Sequence, residues 1–191
     1  MDQTNTKLRH KNVLRKGAAA LVVIDMQEPF IRSVFEHEAF VKSVTKLVEG
    51  CKVLEVPIIG TTQYVSRMGD IIPDIRRALP RTPSHDKVVF DCCGSESFLA
   101  EVAATGATQI LLCGLEAHIC VSQTALGLIA RGYQVHVAVD AIQSRTIENV
   151  NYGLEKMKQS GVLTSSCEMA LYELMYSANS PHFKDILTIV K

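Results

Sequence analysis

Hydrophobic residues in this chain form short unbroken runs that alternate with longer segments of mixed polarity. Apolar runs without polar interruptions are typical of strands that are buried on both faces of a sheet. Five runs stand out, and a weaker sixth follows a glycine. They lie at 19–24, 57–62, 87–90, 109–113, 135–139 and 162–164. The pattern therefore predicts six buried strands.

The segments between these runs have the period of amphipathic helices. Val41, Val44 and Leu47, for example, fall on one stripe, and Gly132 follows another helical stretch as a C-cap. Because strands and helices alternate, we predict an α/β fold with three layers. It has a six-stranded parallel sheet, helices on both faces and right-handed crossovers, as in Rossmann-like proteins. The predicted helices cover 40–56, 97–104, 121–131, 146–159 and 166–176.

The chain is predicted to form a single domain, residues 18–191, after a short N-terminal arm, residues 1–17. No repeat or Gly/Ser-rich linker divides the domain, and a hydrophobic content of 47% supplies one sizeable core. The arm is basic and is expected to be solvated. The apolar, methionine-containing stretch at 166–190 either covers a sheet edge or contacts another subunit, and both interpretations stay open.

The charge balance excludes two classes of partner. Lys and Arg number 20, and so do Asp and Glu, so the formal net charge is zero. A protein that holds nucleic acid by its phosphates carries a basic excess, which is missing here. No apolar run approaches the ~20 residues of a membrane span, and no lysine-rich amphipathic helix is present. We expect neither a nucleic-acid partner nor a membrane partner.

The N-terminus lacks the apolar core of a secretory signal, which favours a cytoplasmic location. The basic arm weakly resembles a mitochondrial transit peptide, so the mitochondrion is the minor alternative. The six cysteines have neither metal-type nor disulfide-type spacing and are expected to be free thiols in a reducing compartment. Cys92, Cys93 and Cys113 are interpreted as packing residues.

Candidate chemistry lies at the strand ends, because functional groups of parallel sheets collect beyond the carboxyl ends of the strands. Asp25 directly follows the first run, and Lys87 stands at the start of the third. Cys120 lies where the loop after the fourth run becomes a helix. An acid, a cation and a thiol therefore occupy neighbouring strand ends. Asp140, after the fifth run, is predicted to cap the next turn.

Cys120 has two interpretations, a small buried side chain or a nucleophile. A thiol of ordinary pKa, ~8.5, becomes reactive beside a base, a cation or a helix N-terminus. Asp25 is placed to accept the proton, and Lys87 to keep Asp25 ionised and to stabilise the thiolate. Amides of the first helical turn add positive partial charge. The nucleophile interpretation predicts that Cys120 reacts well below the pH of an ordinary thiol.

Three motifs carry a resemblance to a known family: "LVVIDMQEPF", "DKVVFDCCGSESF" and "GLEAHICVSQTALGLIARGYQVHVAVDAIQSR". Over roughly residues 18–161 the chain resembles the isochorismatase-like cysteine hydrolase superfamily. The resemblance implies the same six-stranded parallel sheet and frequent homo-oligomerisation. It also implies an Asp–Lys–Cys triad, which falls on Asp25, Lys87 and Cys120.

The resemblance further implies a non-proline cis peptide, which by position joins Leu115 and Glu116. Such a bond would direct the Glu116 amide toward an oxyanion, beside the amide of Cys120. Gln27 and Phe30, in the loop after the first strand, are candidate substrate-binding residues. His118 either binds substrate or faces solvent.

The chain departs from two branches of the superfamily. A nucleophilic cysteine favours acyl chemistry over the vinyl-ether cleavage of isochorismate. Residues 61–75, "TTQYVSRMGDIIPDI", contain no histidine, which speaks against the metal-bound pyridine site of nicotinamidases. We therefore expect a hydrolase of small amides, ureides or related C–N compounds, with no metal or organic cofactor. The alternative is a binding or scaffold protein that has lost turnover.

Overall fold

A computed structural model describes residues 9–79 and 84–191. Its centre is a parallel sheet of six strands in the order β3-β2-β1-β4-β5-β6. The strands are β1 (Ala19–Ile24), β2 (Ile58–Gln63), β3 (His85–Lys87), β4 (Gln109–Leu115), β5 (Gln134–Gln143) and β6 (Leu163–Ser165). The chain therefore builds outward from β1 to β3 and returns to β4. The switch in strand order lies between β1 and β4, where ligands commonly bind in such sheets.

Helices cover both faces of this sheet, which confirms the predicted three-layer α/β fold. Every residue of β1 is buried, because alternate side chains enter two separate cores. Val23 packs with Leu47 and Leu171 on one face, whereas Val22 packs with Phe98 on the other. The helices are α1 (Glu28–Ser33), α2 (His37–Val53), α3 (Val65–Met68), α4 (Pro73–Ala78), α5 (Glu96–Ala104), α6 (Ser122–Ile129), α7 (Ile147–Gln159), α8 (Cys167–Met175) and α9 (Phe183–Val190).

The third strand differs from the prediction. β3 ends at Lys87, and the apolar residues after it, Val88, Val89 and Phe90, are exposed. The predicted strand at 87–90 is therefore wrong in all but its first residue. Among the described strands β3 lies at the edge of the sheet and pairs with β2 alone, and the chain leaves the sheet after Lys87. An apolar run alone does not distinguish a buried strand from an exposed loop.

The fifth strand is longer than predicted and continues to Gln143, so Asp140 lies inside it. The Asp140 carboxylate accepts a hydrogen bond of 2.8 Å from the amide of Cys167, the first residue of α8. Asp140 therefore caps α8 across the sheet and does not cap the turn that follows it in sequence. The prediction was wrong because capping partners need only be near in space.

Two terminal segments belong to the core. Leu14 is fully buried, and its amide donates to the Glu173 carboxylate at 2.8 Å. Leu14 is thus packed where solvation was expected, whereas His10, Lys11 and Gly17 are exposed. Residues 1–8 lie outside the described residues. At the other end, Leu171 and Ile186 join the core beneath α2. The stretch at 166–190 was expected either to pack on its own sheet or to contact another subunit. In the structure, α8 and α9 pack within the chain.

Among the helices that the structure describes, none combines the length and the apolar character needed to cross a membrane.

Candidate active site

The carboxylate of Asp25 is fixed by its backbone and by two donors. Asp25 follows β1 directly and has a left-handed backbone with φ of 51°, so the chain turns sharply out of the sheet there. One carboxylate oxygen accepts from the Thr61 hydroxyl at 2.8 Å, and the other accepts from the Lys87 ammonium at 2.7 Å. Only 1% of Asp25 is exposed. The carboxylate is therefore held without help from solvent.

Lys87 ends β3 and forms a buried ion pair with Asp25. Burial by itself lowers the pKa of Lys87, but the charge of Asp25, together with smaller contributions from Cys92, Cys120 and the hydrogen bond to Asp25, raises that pKa overall. The ammonium group also donates to the side-chain oxygen of Gln63 at 2.6 Å. Because a lysine carries three N–H donors, one remains without a hydrogen-bond partner among the described residues.

Cys120 reaches the same place from β4. Gly114 has φ of 114°, and any Cβ there would collide with the backbone of Ile24, so β4 and β1 approach as only glycine permits. The Leu115–Glu116 peptide is cis. The chain then forms a π-helical turn, Ala117–Val121, which contains Cys120 and leads into α6. The strand end and the turn together aim the thiol at Asp25 and Lys87.

A small cavity of about 50 Å³ opens at these residues. Asp25, Cys120 and Glu116 contribute to its wall, and the Glu116 side chain pairs with Arg145 at 2.9 Å. The remaining lining residues are Phe30, Gln63, Phe90, Leu115 and Ile119. Two acids, one amide and one thiol thus share the cavity wall with four apolar residues. Cys120 is only 7% exposed, yet it borders this open space.

The direction of the pKa shift at the thiol differs from the expectation. Burial raises the pKa of Cys120, the charge of Asp25 raises it further, and the Lys87 ammonium offsets only part of this. Reactivity of Cys120 below the pH of an ordinary thiol stays a prediction, which this direction of shift does not support. Lys87 and the start of the helix were expected to lower the pKa of Cys120, but removal of the thiol from water raises that pKa by more.

Gln63 and Phe90 line the cavity, and sequence reasoning missed both as site residues. Gln63 ends β2, and its position at a strand end was the signal that could have found it. Phe90 falls in the run that was interpreted as a strand. Its side chain is half exposed and forms part of the cavity wall.

The three candidate substrate-binding residues have different positions. Phe30 lines the cavity as predicted from its loop. Gln27 is fully buried, and its amide binds the backbone of Gln63 and of Gly69, so it lies behind the cavity wall. His118 makes a 3.0 Å hydrogen bond to Ser144 and is not among the lining residues.

Over residues 9–79 and 84–191, no group of three or more His, Cys, Asp or Glu side chains is placed to hold a metal ion. The six cysteines are all free and buried.

Comparison with known proteins places this geometry in a family. The model of the isochorismatase domain matches residues 19–169. The secreted isochorismatase effector Isc1 of Phytophthora sojae is 37% identical over 180 residues, covering 91% of this chain and 85% of that protein.

Two solved structures have the same fold. The MAR1 ribonuclease of Caenorhabditis elegans is 29% identical with a TM-score of 0.88, covering 93% of this chain and 92% of that one. The YcaC gene product of Escherichia coli, described as an octameric hydrolase of unknown specificity, is 23% identical with a TM-score of 0.86. There the coverage is 95% of this chain and 96% of that one. The chain belongs to the isochorismatase family and is a hydrolase of that family.

Proposed function

We propose that the protein is a cysteine hydrolase that cleaves a small amide, ureide or related C–N bond through a thioester intermediate. The observation that carries this proposal is that Asp25 and Cys120 border one cavity while Lys87 lies behind it, paired with Asp25. Asp25 and Lys87 form a buried ion pair at 2.7 Å, and the Cys120 thiol is close enough for its pKa to respond to both charges. A base, a cation and a thiol in one cleft are the parts of an activated nucleophile.

In the proposed reaction, Asp25 accepts the proton of Cys120 as the sulfur attacks the substrate carbonyl carbon. A C–S bond forms, and the carbonyl electron pair moves to oxygen. The intermediate collapses, the C–N bond breaks, and Asp25 returns the proton to the leaving nitrogen. Water then attacks the thioester with Asp25 again as base, which releases a carboxylic acid and the thiol. An amide and water thus become an acid and an amine or ammonia.

Two groups stabilise the charges that develop. The Glu116 and Cys120 backbone amides are the proposed oxyanion donors, since both residues border the cavity. Lys87 has an N–H that is not used by the described residues, and we assign it to the new thiolate. Because burial raises the pKa of Cys120, the proposed proton transfer to Asp25 takes place as the sulfur attacks, so the site holds no lasting free thiolate.

Size and charge limit the substrate. The cavity has a volume of about 50 Å³. Since one water molecule needs roughly 10–15 Å³ of cavity volume, a substrate of only a few heavy atoms fits without rearrangement of the wall. Asp25 and Glu116 are acids, and the Arg145 side chain is already paired to Glu116. The site therefore favours a small substrate without negative charge.

The test is a screen for released ammonia over small amides, ureides and carbamates, with Cys120→Ala as control. The expected result is turnover of at least one compound by the natural chain and its loss in the variant. Mass spectrometry of the rapidly quenched protein should show an acyl group on Cys120. Equal turnover by Cys120→Ala would refute the mechanism. Ligand binding without turnover would favour the binding-protein alternative.

A second candidate function is cleavage of isochorismate, because the 37% identical Phytophthora relative bears the name of that activity. The acids that border the cavity disfavour a substrate with two carboxylates. Including isochorismate in the same screen decides between the two. Consumption of isochorismate by Cys120→Ala at the natural rate would favour the second candidate.

We also propose that the chain forms a homo-oligomer. The exposed apolar residues Val88, Val89 and Phe90 lie beside the site, and the fold is shared with the octameric Escherichia coli protein. Light scattering should give a mass of at least twice 21.0 kDa. Replacing Val88 and Val89 by serine should lower that mass, and a monomeric natural chain would contradict the proposal.

A further inference from the structure

Gln63 makes contacts that the proposed mechanism does not use. Its backbone is held first: the Gln63 amide donates to the Gln27 side chain at 2.7 Å, and Gln27 donates back to the Gln63 carbonyl at 3.1 Å. Gln27 is anchored in turn by a 2.6 Å bond to the Gly69 carbonyl. These hydrogen bonds fix the backbone of Gln63, from which its side chain extends into the site.

The orientation of the Gln63 side-chain amide follows from its partners. Its nitrogen donates to the Val88 carbonyl at 2.7 Å, and its oxygen accepts from Lys87 at 2.6 Å. A backbone carbonyl only accepts and a lysine ammonium only donates, so the amide has a single possible orientation. The same oxygen lies 4.0 Å from the Cys120 sulfur, where it accepts from the thiol.

This contact exists for only one state of Cys120. A thiol donates its S–H to the amide oxygen, whereas a thiolate has no proton to donate and is repelled by the negative end of the amide dipole. The oxygen also occupies one of the three Lys87 donors and Asp25 another, which leaves a single N–H of Lys87 for a thiolate. Both effects favour the neutral thiol.

We propose that Gln63 is a positioning residue that keeps the proton on Cys120 in the free protein and so restrains the nucleophile until substrate enters. The inference deepens the proposed function and rests on it in treating Cys120 as the reactive thiol. Gln63 acts through Cys120 and Lys87 and needs no contact with the reacting carbonyl.

The test measures the rate at which iodoacetamide, an uncharged probe, alkylates Cys120 between pH 7 and 10, read by peptide mass spectrometry. Gln63→Leu removes the acceptor and releases a Lys87 donor, so alkylation at pH 8 should become about tenfold faster, a downward pKa shift of about one unit. Gln63→Glu places a negative charge beside the sulfur, so its alkylation should become slower than in the natural chain.

The opposite directions separate a change in pKa from a loosened fold, which would speed alkylation in both variants and label buried Cys51 and Cys113 as well. Gln159→Leu is the matched control, since Gln159 is exposed in α7 and its side chain hydrogen-bonds, within the described part of the chain, to Glu155 alone. Its rate should equal that of the natural chain. If Gln63→Leu does not fold, Gln63→Asn replaces it, because the shorter side chain withdraws the oxygen and should also speed alkylation.

Two variants that shift in the same direction, or a leucine or asparagine variant within twofold of the natural rate, would overturn the inference. Turnover plays no part in this readout. Failure of the proposed function would appear separately, as activity retained by Cys120→Ala, and would leave the alkylation result to be judged by itself.

Discussion

Two cysteine–aspartate pairs lie on opposite faces of the sheet, and of these two only the pair of Cys120 and Asp25 borders the cavity described above. Cys120 precedes α6 and lies beside Asp25 from the neighbouring strand β1. Cys167 begins α8 and lies beside Asp140 from the neighbouring strand β5. In both pairs burial raises the thiol pKa first, and the aspartate charge raises it further.

The difference lies in what surrounds the pairs. Lys87 lowers the pKa of Cys120 and holds Asp25, whereas no cation among the described residues lowers the pKa of Cys167. The Cys167 sulfur contacts the backbone carbonyl of Ser43 and does not border the cavity at Asp25. We therefore expect that a thiol beside a carboxylate at a helix start is insufficient for chemistry. A cation and an opening to substrate are the proposed additional requirements.

The largest expected effect is on turnover, when the aspartate of each pair is replaced by asparagine. Asp25→Asn removes the proposed base and should lower turnover by about 10³-fold. Asp140→Asn retains an oxygen that caps α8, so turnover should stay within about twofold of the natural rate. Steady-state rates on the substrate found in the ammonia screen measure both. Equal losses in the two variants would contradict the assignment of roles.

The second effect concerns Lys87, the residue that the Cys167 pair lacks. Lys87→Met leaves Asp25 buried without its partner and should lower the free energy of unfolding by about 3–5 kcal/mol. Urea denaturation measures this. Lys16→Met is the control: it removes an ion pair with Glu55 at the surface and should leave stability almost unchanged. Comparable losses of unfolding free energy in Lys87→Met and Lys16→Met would mean that the buried pair of Lys87 and Asp25 stabilises the fold no more than a surface pair.

The smallest effect concerns Cys51, a thiol whose pKa is shifted by burial alone. Burial raises the pKa of Cys51 from 9.0 to about 12. Between these values the folded chain binds more protons than the unfolded chain, so stability is retained below pH 9 and falls as the pH rises. At pH 10 the loss from one such thiol, relative to pH 7, is about 1.4 kcal/mol.

Cys51→Ala should reduce the difference between the unfolding free energies at pH 7 and pH 10 by that amount. Comparing the two pH values within each protein cancels the cost of the substitution itself. Turnover should persist, because Cys51 lies on the face opposite the site. An unchanged pH dependence would show that Cys51 is not protected from ionisation in the folded protein.

Part of the site could be predicted because it depends on strand ends. Asp25 and Cys120 follow strands that are adjacent in the sheet, and such ends meet at one edge. Lys87 was placed at the right position but at the wrong end of its strand, since the exposed run 88–90 has the composition of a buried one. Gln63 carried no chemical signal of its own, and its role depends on contacts with Lys87 and Cys120.

Local patterns of the sequence were enough to predict the order of strands and helices, the parallel sheet, and the acid, cation and thiol at neighbouring strand ends. These follow from periodicity and from the polar residues at the ends of the strands, which are local properties of the chain. Three features became visible only in the folded chain: Asp140 caps α8, the Gln63 side chain contacts both Lys87 and Cys120, and burial raises the pKa of the Cys120 thiol. Those outcomes depend on distances and removal from water between segments far apart in sequence, and no local pattern encodes them.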